Sequence, residues 1–343
     1  MDFERTRRRF TPIRRRLCVG SGSGEVLLLE LDGTSGKIDL FGAARSGDYP
    51  SFLAFHKSRA VAYAAHEASS ELAALSLSGA RFGVLGRTPS GGAGPAYVSL
   101  DRSDSYLFCA NYAGGTISVI ALATDGSLGD VTFSGPCGEN PHSIVVDPSN
   151  RFVFVPALGS DQIFQFRFDR SNGKLHPNAK SSRATRAGSG PRHLVFHPEK
   201  AFAYVSYEHT SEIACYAFDP EFGTLEERQV ISSLPHAAVR HENTGADLHV
   251  APSGRFLYAS NRGHDSIAVF GIKPDATLSL LGHAETLGKT PRNFALAQHG
   301  EFLVVANQDS NSLTTFQVDT ASGVLTRLAT TPGIPSPYWV GFF

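Results

Sequence analysis

Residues 141–169 read PHSIVVDPSNRFVFVPALGSDQIFQFRFD, and residues 191–219 read PRHLVFHPEKAFAYVSYEHTSEIACYAFD. The two align from end to end. A proline opens each, and a short apolar run leads to a turn such as Asp147-Pro148-Ser149-Asn150. An alternating aromatic strand follows, then a polar loop and a third apolar strand. Residues 245–272, GADLHVAPSGRFLYASNRGHDSIAVFGI, and 291–319, PRNFALAQHGEFLVVANQDSNSLTTFQVD, repeat the order, and earlier copies start at Pro50 and Pro95. The starts lie roughly 45 to 55 residues apart, the interval of propeller blades. Each copy ends in a Gly-containing turn and a fourth, more polar strand, so one copy supplies the four antiparallel strands of a blade. Proline and glycine fall at the joints, where their backbone preferences suit turns.

Six copies leave both ends of the chain over. Leu17 to Gly20, Glu25 to Leu31 and Lys37 to Phe41 form three strands lacking a first. Ser336 to Phe343 contains one apolar strand lacking a second. Joined, they make a seventh blade. The sequence therefore predicts an all-β, seven-bladed propeller over residues 17–343, closed by pairing of its N- and C-terminal strands, preceded by a basic tail over residues 1–16. Closure removes the free edges that an open array leaves exposed.

Composition agrees. The 343 residues include 34 Gly, 19 Pro and 24 Phe but only one Met and one Trp, which suits many short strands and turns. With 31 basic and 32 acidic side chains the net charge is -1, so the basic excess expected of a nucleic-acid binder is missing. The exception is the cluster Arg5, Arg7, Arg8, Arg9, Arg14, Arg15 and Arg16. It is followed by Gly20-Ser21-Gly22-Ser23-Gly24 rather than the apolar stretch an export signal needs, and it is expected to be a solvated tail. No apolar run approaches the roughly 18 residues of a membrane helix. Cys18, Cys109, Cys137 and Cys215 are widely spaced with no CxxC pair, which fits free thiols in a reducing compartment and a soluble cytoplasmic protein. The sequence offers no HExxH, Cys/His ligand cluster, GxSxG elbow or phosphate-binding loop, so neither metal nor cofactor is expected.

Topology selects candidate functional residues. First strands surround a central channel, and the antiparallel second strand ends beside the start of the first. Residues at these two places, repeated around the ring, must meet at one mouth. The first-strand starts carry Ser51, Ala96, His142, Arg192, Ala246 and Arg292, followed by Phe52, Tyr97, Ser143, His193, Asp247 and Asn293. The second-strand ends carry His66-Glu67, Asn111-Tyr112, Ala157-Leu158, Tyr207-Glu208, Asn261-Arg262 and Asn307-Gln308. Arginines, imidazoles and carboxylates thus converge in one concavity, the pattern of a binding or catalytic site. His56, His197 and His299, near the first turn, fall outside this ring and are expected to be structural.

These residues carry a resemblance. Ala110-Asn111-Tyr112-Ala113-Gly114-Gly115, Pro141-His142-Ser143, Gly190-Pro191-Arg192-His193 with Phe196-His197-Pro198, Tyr207-Glu208, Ser260-Asn261-Arg262-Gly263 and Pro291-Arg292-Asn293-Phe294 occur in the order found in the propeller-type lactonases. The chain resembles that family, which includes bacterial 6-phosphogluconolactonases and the fungal 3-carboxy-cis,cis-muconate lactonizing enzyme, from about Leu17 onward. The resemblance implies a catalytic set of His142, Arg192, Glu208 and Arg262. It also departs at one point: Ala157-Leu158-Gly159 stands where the family commonly has Asp-Leu-Gly, so an acid near His142 is missing.

Lactone hydrolysis needs a base for the attacking water and cationic or N–H donors for the oxyanion. Glu208 or His142 is expected to take the proton, and Arg192 and Arg262 to stabilise negative charge. Glu67, Asn111, Tyr112, His193, Asp247, Asn261, Arg292 and Asn293 are expected to contact the substrate, a small anionic lactone: phosphorylated, sulfonated or a plain aldonolactone. The same residues would serve a lactone-forming cycloisomerase. A non-catalytic binding propeller would instead show an aromatic anchor cluster with few charges at its centre.

Overall fold

A computed structural model describes residues 14–78, 82–235 and 242–343. They form seven four-stranded antiparallel sheets. Blades one to six span residues 50–89, 95–136, 141–184, 191–232, 244–285 and 291–332 in chain order. In blade seven the strand Pro337–Phe342 is innermost, followed by Arg14–Ser21, Glu25–Asp32 and Ile38–Arg45. The closing register runs from Leu17 opposite Phe342 to Ser21 opposite Pro337. The expected closure from both ends of the chain is therefore present.

The last three residues of the expected tail over 1–16 belong to the propeller instead. Arg14, Arg15 and Arg16 belong to the strand Arg14–Ser21 and pair with Asp32, Leu31 and Glu30. Arg14 lies 3.3 Å from Glu30, and Arg15 reaches Glu301 of blade six at 2.8 Å. Paired carboxylates on the neighbouring strand and blade extend the ladder into what reads, residue by residue, as a charge block. Arg5, Arg7, Arg8 and Arg9 lie outside the described residues.

Burial within a blade follows strand order. The second strand Phe152–Ala157 is buried throughout, whereas the outermost strand Ile38–Arg45 is exposed or half-buried at every position after Ile38. Apolar side chains of the middle strands fill the spaces between adjacent blades, as where Phe108, Val119 and Ile144 meet Val153 and Phe168. Specific bonds tie blades together. Tyr63, Tyr204 and Tyr258, on second strands, each donate a hydroxyl to a carbonyl in the outer hairpin of the next blade: Gly126, Ala276 and Gly323, at 2.8, 2.9 and 3.1 Å. All three rings are fully buried, where an unpaired hydroxyl would be costly.

The turn after the innermost strand is held by one side chain acting on backbone N–H groups. In blades two and three this is Asp101 and Asp147, which accept from Ser105 and Tyr106 and from Arg151 and Phe152, respectively. In blade four His197 takes that place, with Nδ1 accepting from Glu199 and Lys200 and Nε2 bonded to Gly254 O at 2.9 Å. His56 accepts from Ser58 N–H in the same way and sits 3.4 Å from Asp104. Both are structural, as expected. His299 is exposed.

One irregularity recurs in every blade. Between Pro191 opposite Tyr207 and Leu194 opposite Val205 the inner strand carries one residue more than its partner. The same excess follows Gly245, Pro291, Pro50 and Pro95, separates the Pro141–Ala157 bridge from the Val145–Phe154 pair, and lies between Pro337 and Trp339. Seven β-bulges therefore stand at one end of the channel. A bulge breaks the strict alternation of side chains and re-aims them.

Two measurements test this packing. Trp339, buried on the closing strand against Phe55 and Phe52, should cost about 3 kcal/mol when replaced by Ala, read from urea unfolding followed by circular dichroism. Tyr204→Phe, which removes only the bond to Ala276, should cost about 1 kcal/mol.

Candidate active site

The bulges deliver two tiers of side chains to the channel mouth. In an unbroken strand neighbouring side chains point to opposite faces, so Arg192 and His193 could not meet. Here they do: Arg192 Nη1 is 3.2 Å from His193 Nε2. The upper tier contains His142, Arg192 and Arg292, joined by Glu208 and Arg262 from the ends of second strands. One carboxylate oxygen organises it: Glu208 Oε2 lies 2.8 Å from Arg192 Nε and 2.9 Å from Arg262 Nη2. Arg262 Nη2 also donates to Gly245 O at 3.0 Å.

The lower tier closes the channel beneath. Phe52 stacks on Tyr97 at 4.0 Å, and both rings approach His193, at 5.8 and 5.2 Å. His193 Nδ1 bonds Asp247 Oδ1 at 2.8 Å. Asp247 Oδ2 accepts from Asn293 and lies 3.0 Å from His249 Nε2. Asn293 Oδ1 in turn accepts from Val340 N–H at 2.8 Å. The belt thus links the inner strands of blades four, five, six and seven through side chains. Because Asp247 accepts at Nδ1, His193 presents Nε2 as an acceptor to Arg192, and the imidazole's tautomer is set from below.

Burial and charge determine the protonation states. Arg192 is almost fully buried; desolvation and the neighbouring Arg262 bring it down to about 9, still cationic at neutral pH. Burial opposes ionisation of Glu208, but Arg192 and Arg262 outweigh it and hold the carboxyl below its ordinary value. Burial and the Arg192 charge bring His193 down to about 4. Burial, Arg192 and His193 also keep His142 neutral, well below 6.5, and its Nδ1 has no hydrogen-bond partner. Asp247 stays ionised despite burial, because His249 and the bond from His193 favour the charged form.

The twelve expected site residues divide. His142, Arg192, Glu208, Arg262, His193, Asp247 and Asn293 come together as described. Tyr112 meets His142 edge-on at 5.4 Å, and Glu67 and Arg292 line a pocket of about 390 Å³ at the same mouth. Asn111 and Asn261 do not join them. Both are fully buried with their amides bonded away from the mouth, Asn111 to Thr116 and Ser118 of its own blade, and Asn261 to Ser266 of its own blade and to Ser233 in the connection that follows blade four. They brace the joint between second and third strands, as Asn307 does with Thr314 in blade six.

Three contributors escape the sequence argument. Tyr338 follows the opening Pro337 of the seventh copy, so the positional rule extended to the closing strand selects it. His249 stands two residues beyond Asp247, on the same face of the strand. Tyr49 precedes its opening proline, where the repeat gives no signal. Among the described residues no group of three or more His, Cys, Asp or Glu side chains is arranged to hold a metal ion, and no helix is long and apolar enough to cross a membrane.

Relatives carry the same architecture. The chain is 31% identical over 315 residues to a 6-phosphogluconolactonase of Bacillus subtilis, covering 88% of each. It is 35% identical over 247 residues to one of Pectobacterium carotovorum, covering 72% of this chain and 74% of that one. Among solved structures, a periplasmic gluconolactonase of Pseudomonas aeruginosa superposes with a TM-score of 0.87 at 27% identity, covering 96% of this chain and 99% of the other. A protein of Lactobacillus plantarum superposes at 0.90 and 28% identity, with 96% and 100% covered. The family described as "Lactonase, 7-bladed beta-propeller" matches residues 16–342. With seven closed blades, a charged mouth and that match over nearly its whole length, the chain belongs to the seven-bladed β-propeller lactonases.

Proposed function

We propose that the protein hydrolyses the lactone of a sugar acid at this mouth, with Arg192 and Arg262 as the electrostatic catalysts, Glu208 as their shared counter-charge and His142 as the base. The observation that carries the reading is the single Glu208 oxygen between two guanidinium groups. It holds two cations side by side that would otherwise repel, and leaves other N–H groups of each fork free for a substrate oxygen. Relatives named 6-phosphogluconolactonase and gluconolactonase support the substrate class.

The steps follow from the protonation states. Water adds to the ester carbonyl, and the negative charge that develops on its oxygen is met by the arginines in a largely desolvated setting, where such charges count most. Glu208, ionised and occupied, is a weak proton acceptor. His142 is neutral with Nδ1 free, and negative charge building beside it raises its basicity as the reaction proceeds. It takes the water proton and returns it to the ring oxygen as the C–O bond breaks, giving the open hydroxy acid. His193, fixed by Asp247, keeps Arg192 aimed. Glu67, Tyr112, Arg292 and Asn293 contact the rest of the ligand or support those that do. The four buried, unpaired thiols suit a reducing compartment, the cytoplasm.

In a pH-stat assay on a sugar lactone, Glu208→Gln, Arg262→Ala and His142→Asn should each lower kcat by about 100-fold or more, with unchanged far-UV circular dichroism. Full activity in Glu208→Gln and Arg262→Ala together would remove this assignment. Because His142 is held well below 6.5 and acts in its neutral form, kcat/KM should stay level from neutral pH down to about 6 and fall only as that imidazole protonates. A fall that persists unchanged in His142→Asn would place the base elsewhere.

A further inference from the structure

The arginine–glutamate cluster occupies only one arc of the mouth. Arg192 and Glu208 come from blade four and Arg262 from blade five, with His142 beside them on blade three. The pocket of about 390 Å³ lies on the opposite arc, on blades six, seven and one, and is lined by Tyr49, Ser51, Glu67, Ala68, Arg292 and Tyr338. Arg292 joins the two arcs: Arg262, Glu67 and Glu208 are all near enough to act on its charge.

The walls of this pocket are aromatic. The rings of Tyr49 and Tyr338 stand 5.7 Å apart at 52°, and the Arg292 guanidinium lies over Tyr338 at 5.6 Å. Tyr49 is 48% exposed, and its backbone has the left-handed φ of 53° that Gly94, Asn140, Gly190, Thr290 and Ser336 also adopt before the opening proline of their blades, so the blade repeat sets the loop that presents this ring. Its carbonyl accepts from Glu67 N–H at 3.3 Å, which helps fix the loop. Arg292 and Glu67 give the pocket one positive and one negative side chain, so it has no surplus of cations for a phosphate, and Glu67 would repel one. Aromatic faces beside one donor group and one acceptor group match an uncharged pyranose, whose C–H face packs on a ring while its hydroxyls meet arginine and carboxylate.

We propose that the substrate is a glycosylated aldonolactone, the lactone end of an oxidised disaccharide or oligosaccharide, lying across the mouth. The lactone ring meets Arg192 and Arg262, and the adjoining pyranose occupies the pocket between Tyr49 and Tyr338. This rests on the reading of the mouth as a lactone-hydrolysing site and extends it from a single sugar to two.

The test compares gluconolactone, 6-phosphogluconolactone and the lactone of cellobionic acid in the intact protein, Tyr49→Ala and Tyr49→Phe. The intact protein should show kcat/KM for the cellobionic lactone at least about tenfold above either single-sugar lactone, mainly through KM. That ratio should collapse towards one in Tyr49→Ala and survive in Tyr49→Phe, which keeps the ring. Equal or lower kcat/KM for the cellobionic lactone, a preference for the phosphorylated one, or a ratio unchanged in Tyr49→Ala would overturn the proposal. Calorimetry with the open acids separates the two readings. Cellobionate binding more tightly than gluconate, with that difference lost in Tyr49→Ala, supports the pocket even if no lactone is turned over, an outcome that would sink only the hydrolysis. Cellobionate binding no more tightly than gluconate overturns the pocket.

Discussion

The strand Arg14–Ser21 is hydrogen-bonded along both edges, to Glu25–Asp32 on one side and to Pro337–Phe342 on the other. Every other blade is continuous in sequence; this one alone is assembled from both ends of the described chain, Arg14–Arg45 and Pro337–Phe342. The ring exists because that ladder forms, and the mouth exists because the ring does. A gap at this seam would remove Tyr338 from the mouth and Trp339 from the core beside it, and take the backbone N–H of Val340 away from Asn293. The closing strand therefore holds the fold together and also terminates the side-chain belt that runs through Asp247.

That belt and the arginine–glutamate cluster solve one electrostatic problem in two layers. Three arginines, Arg192, Arg262 and Arg292, share a small and partly dry volume with the carboxylates of Glu208, Glu67 and Asp247. Taking such charges out of water is expensive unless each is paired and hydrogen-bonded. Glu208 supplies the opposite charge at the rim. Asp247 meets it below through His193, whose neutral ring passes a hydrogen-bond acceptor upward to Arg192. Aromatic rings of Phe52 and Tyr97 shut the channel on the remaining side, so the cations face solvent and substrate from one direction only.

Much of this was legible in the amino-acid sequence, for a physical reason. Blades repeat the same burial pattern, so Phe256-Leu257-Tyr258-Ala259 and Phe152-Val153-Phe154-Val155 advertise the same second strand, and the orphan strand around Trp339 advertises closure. Position within the repeat also located His142, Arg192, Glu208 and Arg262 at one mouth. Direction was harder. Asn111 and Asn261 lie at the right height but turn inward, since nothing in a residue's place along a strand reveals which of two faces it serves once the pleat is broken. Their recurrence in three blades, with Asn307, is the mark of a brace and could have been read as such. Arg14 to Arg16 look like tail because their partners, Glu30, Asp32 and Glu301, are distant in the chain or on the neighbouring strand. Tyr49 sits in a loop whose backbone recurs before Pro95, Pro141, Pro191, Pro291 and Pro337, but the side chain there differs in kind from blade to blade, so the repeat does not mark it.

The bulge at the head of each inner strand has a consequence for how such a protein can change. The ladders that hold a blade together resume at Leu194, Leu248 or Asn293, past the extra residue. Side chains at the bulge contribute little to the regular ladder, so they are free to differ from blade to blade. Around this one ring they are serine, alanine, histidine, arginine, alanine, arginine and tyrosine, on a common backbone. New chemistry can thus be written one blade at a time, at seven separate addresses, without rewriting the scaffold that presents it.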